Sequence, residues 1–67
     1  MRIPFVDVLE KHYEAKMLEA KANLDVLLNN MVGIGEHTDY LLDLKKWLGE
    51  LDDAKGCLET LKATYPK

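Results

Sequence analysis

The sequence predicts an all-α fold: an antiparallel two-helix hairpin that dimerises into a four-helix bundle. Three observations carry this. Two apolar stripes recur at helical spacing, and a glycine-containing break at residues 31–39 separates them. The stripes also match layer by layer when the chain is folded about that break. All 67 residues form one helical-hairpin domain, with a helix over about 4–32, a turn at 33–37 and a helix over about 38–64.

The first helix starts at Pro4, whose missing N–H costs nothing in a first turn. Its stripe begins Val6, Leu9, Tyr13 and Met17, then continues Ala20, Leu24, Leu27 and Met31. Steps of three and four alternate, except for one repeated four at Tyr13–Met17, a local stutter in the heptad. Gly33 and Gly35 then supply the backbone freedom that ends a helix cheaply. Ile34 follows Gly33 and is placed to pack back toward Leu28. Thr38 or Asp39 is placed to cap the next helix.

The second stripe is Tyr40, Leu44, Trp47 and Leu51, then Ala54, Leu58, Leu61 and Tyr65. Its steps alternate four and three throughout, the spacing of a coiled-coil seam. Pro66 disfavours helical geometry at the residue before it and stops the run. Folding the chain sets Met31 by Tyr40, Leu27 by Leu44 and Leu24 by Trp47. Ala20 then meets Leu51, Met17 meets Ala54, and Tyr13 meets Leu58. Small side chains oppose large ones, as a packed seam requires. Trp47 is expected to be largely buried there.

Apolar residues extend beyond this seam. Val8, Ala15, Leu18, Ala22, Val26 and Leu28 lie on helix one, and Leu41, Leu42 and Leu48 on helix two. They widen the apolar face and predict a partner surface. A homodimer is the simplest closed solution. Gly49 and Gly56 repeat every seven residues with Leu42 and Ala63, away from the seam. They read as a weak exposed face or as a groove for a closely approaching helix.

Composition excludes several functions. The net charge is −3 with acids and bases interspersed, so no basic block draws a phosphate backbone. Nucleic acid is therefore disfavoured, although a dimeric nucleic-acid-binding hairpin of the Rop type is the alternative reading. Lys11, Lys16, Lys21, Lys45 and Lys46 are the lysines such a face would use, and acids interrupt them. No apolar run approaches a membrane span or a secretory signal, and a cytoplasmic location is expected. Cys57 is alone and is read as a buried or half-buried structural thiol. His12 and His37 stand far apart, neither in a Glu-x-x-His pair, and read as a surface and a turn histidine. No nucleophile–base set is present, so no catalytic residue, metal or cofactor is expected. Gly33-x-Gly35 is half a dinucleotide fingerprint without its preceding strand. Trp47-Leu48-Gly49 repeats a tripeptide of small secreted hairpins, but inside a helix rather than in a turn.

The stretch Val32-Gly33-Ile34-Gly35-Glu36-His37-Thr38-Asp39, with Leu58-Glu59-Thr60-Leu61 further on, resembles short helical-hairpin proteins of tailed bacteriophages, particularly marine ones. In those, a Gly-x-Gly-Glu-His-x-Asp turn joins two helices, and Thr38 stands where many carry proline. The resemblance covers roughly the C-terminal half of the chain. It implies a phage gene product acting in a bacterial cytoplasm or a virion, with no activity attached. The expected function is a non-enzymatic protein–protein interaction module. Its partners are itself and a host or virion protein.

Overall fold

In a computed structural model, residues 4–30 and 38–66 are described, apart from the side chains of Thr38 and Asp39. The chain forms two helices, α1 (Pro4–Asn29) and α2 (Thr38–Thr64), packed against each other. Cα extents of 55 × 14 × 13 Å make a rod of two-helix width. The fold is the predicted all-α hairpin architecture. The turn residues Gly33, Ile34 and Gly35, with Met31 and His37, lie outside the described residues. So does the capping expected of the Thr38 and Asp39 side chains, although α2 does begin at Thr38.

α1 stops short of the expected end near residue 32. Its last turn is closed by Asn30, whose backbone N–H reaches the carbonyls of Val26 (3.1 Å) and Leu27 (3.2 Å). The Asn30 Nδ2 also donates to the Val26 carbonyl at 2.8 Å. Asn29-Asn30 places two weak helix formers in a row at this end, whereas Asn23 makes the same bond to the Glu19 carbonyl at 2.9 Å with α1 continuing past it. α2 ends as expected. Thr64 Oγ1 donates to the Thr60 carbonyl at 2.8 Å and the Tyr65 N–H to the Leu61 carbonyl at 2.9 Å, just before Pro66.

The seam runs where the stripes put it. Ala20 and Ala54 are 0% and 1% exposed, and they are its closest-packed positions. Small side chains at mid-length let the two backbones approach. Val6, Tyr13, Met17, Leu24 and Leu27 of α1 are half-buried, as are Tyr40, Leu44, Leu51, Leu58 and Leu61 of α2. Trp47 is half-buried rather than largely buried. Two helices enclose one side of an indole, and Lys46 Nζ sits 4.8 Å from its ring centroid on the wet side. Leu9 and Tyr65, both predicted for the seam, are 42% and 52% exposed. They lie at the open end, past the stutter, where no further layer covers them.

Candidate interaction surface

Successive residues of a helix turn by about 100°, so positions seven apart share one side. On α2, Leu41, Leu48, Lys55 and Lys62 line one flank of the seam. Glu50, Cys57 and Thr64 line the other. On α1, Leu28, Lys21 and Glu14 share the first flank. Lys16 lies on the second, and its Nζ reaches Glu50 Oε2 across the helices at 3.9 Å. Both side chains of that pair are about two-fifths exposed, which limits its contribution to at most ~1 kcal/mol.

The first flank is apolar at the end where α1 stops and α2 starts. Leu28, Leu41 and Leu48 are all more than half exposed. At mid-length Glu14, Met17, Leu18 and Leu58 line an open groove. Toward the open end the flank becomes charged. Glu14 takes Lys11 at 3.4 Å, and Glu10 and Lys62 line one recess with Val6, Leu61, Tyr65 and Pro66. Glu10 is only 7% exposed, which the sequence reading missed. The end of α2 covers it, and no buried side-chain polar atom among the described residues lacks a partner.

The second flank is mixed. An open groove here is lined by Leu9, Tyr13, Gly56, Cys57, Thr60 and Tyr65, with Asp52 and Asp53 at its rim. Cys57 is exposed, not buried or half-buried as expected. It sits one residue before the seam residue Leu58, in the groove to which α1 contributes Leu9 and Tyr13. The Tyr13 hydroxyl hydrogen-bonds to Cys57, and this bond, then negative charge on the sulfur, then slight desolvation, hold the phenol above its ordinary pKa. His12 is exposed and meets the Tyr13 ring edge-on at 5.0 Å. Among the described residues no three histidine, cysteine or acidic side chains converge as metal ligands. Among them, too, no helix is long and apolar enough to cross a membrane.

The predicted partner residues therefore do not form one surface. Leu28, Leu41 and Leu48 come together, with Leu18 at the groove beside them. Val8 and Val26 lie on the far side of α1, at 61% and 59% exposure. Leu42, Gly49 and Gly56 form the back of α2, and a Cβ at either glycine would meet nothing within 4 Å. Phe5, at 76%, is the most exposed large apolar side chain described, and no prediction singled it out. Its spacing of three from Val8 on the first turn was the available signal. Against protein-family models, curated proteins and solved structures, the chain finds no match.

Proposed function

We propose that this chain is a non-enzymatic protein–protein interaction module that completes its hydrophobic core by associating with itself. One observation carries this reading. Only Ala20 and Ala54 form a fully enclosed apolar core among the described residues, while Leu18, Val26, Leu28, Leu41, Leu42 and Leu48 all stay more than half exposed. Of these, Leu28, Leu41 and Leu48 share one flank, and an exposed apolar patch on a soluble protein marks a contact surface. The lysines support the reading against a phosphate-binding face, because Lys11, Lys16 and Lys21 are each engaged by a carboxylate. The resemblance of residues 32–39 to phage hairpins supports a bacterial cytoplasm or a virion as its setting. A host or virion protein is then the further partner. Light scattering at micromolar concentration tests the core claim, with twice the chain mass expected. A folded monomer there, or a salt-dependent mobility shift with RNA or DNA, overturns it.

A further inference from the structure

The exposed area suggests how large the missing contact is. A compact monomer of 7.7 kDa exposes about 4,300 Å². This chain exposes 5194 Å², which is about 900 Å² more than that scaling gives. A standard interface removes about 800 Å² from each partner. The rod shape of 55 × 14 × 13 Å itself raises the exposed area, and the remaining excess leaves room for the share that one subunit contributes to one interface.

The flank of Leu28, Leu41 and Leu48 says how the second subunit sits. Leu28, Leu41 and Leu48 stand where α1 stops and α2 starts, Lys21 and Lys55 come next beside the groove of Glu14, Leu18 and Leu58, and Lys62 lies toward the open end. Two such flanks can meet about a two-fold axis in two ways. With the axis along the rod, α2 faces α1 of the second copy at equal height. Leu41 then meets Leu28, Leu48 meets Lys21, and Lys55 meets Glu14, of that copy. With the axis across the rod, α2 faces itself in reverse. Leu41 then lands on Lys62, and Leu48 on Lys55, of the second copy. That covers two lysines with leucines and pairs no charge, whereas the first arrangement covers one lysine and sets Lys55 against Glu14. The second flank is a poorer seat, since the Lys16–Glu50 pair and the carboxylates of Asp52 and Asp53 interrupt it.

We propose that a second copy of this chain docks on the Leu28–Leu41–Leu48 flank, with its rod parallel to the first and like ends together. This rests on the self-association proposed above and adds the face and the orientation. Cross-linking distinguishes the possibilities. Each chain carries Cys57→Ser and one new cysteine, so every product of a mixture is intermolecular. Chains with Leu28→Cys and with Leu41→Cys are mixed and treated with a short bifunctional thiol reagent. Leu41→Cys mixed with Lys62→Cys is the opposing arm. The parallel dimer gives the mixed product in the first mixture and little in the second. The reverse yield overturns the orientation while leaving self-association standing. A dimer by light scattering that gives neither product overturns the face. A folded monomer overturns this proposal and the functional reading together. Leu48→Lys, which sets a second cation against Lys21 of the other copy, supplies a second readout and should weaken the dimer at least about tenfold. At 59% exposure its side chain is not needed to hold the hairpin seam. Dimerisation at the original concentration in that variant moves the interface elsewhere.

Discussion

Tyr13 and Cys57 show how one contact sets a measurable property. Hydrogen bonding between the Tyr13 and Cys57 side chains favours the neutral phenol, and a phenolate would also sit beside negative charge on the sulfur. The fold therefore favours the neutral tyrosine. A raised folded pKa contributes stability that is fully present below the ordinary phenol value of about 10 and fades as pH rises through the folded value. Cys57→Ala should move the Tyr13 absorbance titration to lower pH, and Tyr13→Phe should flatten the alkaline end of the stability profile. Identical titrations with and without the sulfur would remove the contact. Ala20 and Ala54 obey a different constraint, that of space. At 0% and 1% exposure they set the distance between the helices. Ala54→Leu should cost about 1–3 kcal/mol by overpacking, read as a lower urea midpoint. An unchanged midpoint would mean that the seam is looser than these two positions indicate.

Each helix tests what a sequence pattern can and cannot carry. α2 spans Thr38–Thr64, as its punctuation predicted, because a strict heptad, a capping candidate and Pro66 are all local signals. α1 ends at Asn29-Asn30, two weak helix formers in a row that apolar periodicity does not register. The seam was legible since burial follows spacing. Which side of the seam stays bare was not, because a stripe lists apolar positions without saying which neighbour covers them. Cys57 failed for that reason: the pattern gave its apolar character and not the gap beside Tyr13. Gly49 and Gly56 turn this into an experiment on α2. Both sit in helical backbone with open space where a Cβ would go. Gly49→Ala and Gly56→Ala should each stabilise α2 by about 0.5–1 kcal/mol, seen as a higher thermal midpoint, with the dimer intact. Loss of the dimer on either change would show that another helix closes on the glycine face, and the docking flank would have to move there.

The rod is stabilised along one seam only, and this fixes how its melting must behave. Among the described residues two small alanines form the enclosed core, so the hairpin gains little from its own interior, and the proposed second rod would supply most further burial. If folding and association are one transition, the folded state is favoured by mass action. Raising the protein concentration a hundredfold stabilises a dimer by about 2.7 kcal/mol, the value of RT ln 100. For chains of this size that corresponds to a midpoint higher by roughly 5–10 °C. Circular dichroism at 222 nm, recorded across two decades of concentration, reads the shift directly. A monomeric hairpin would melt at one temperature throughout. A constant midpoint with full helicity at the lowest concentration would mean that the single seam, with its half-buried Trp47 and leucines, suffices. The exposed leucine flank would then have to be explained by a partner other than a second copy.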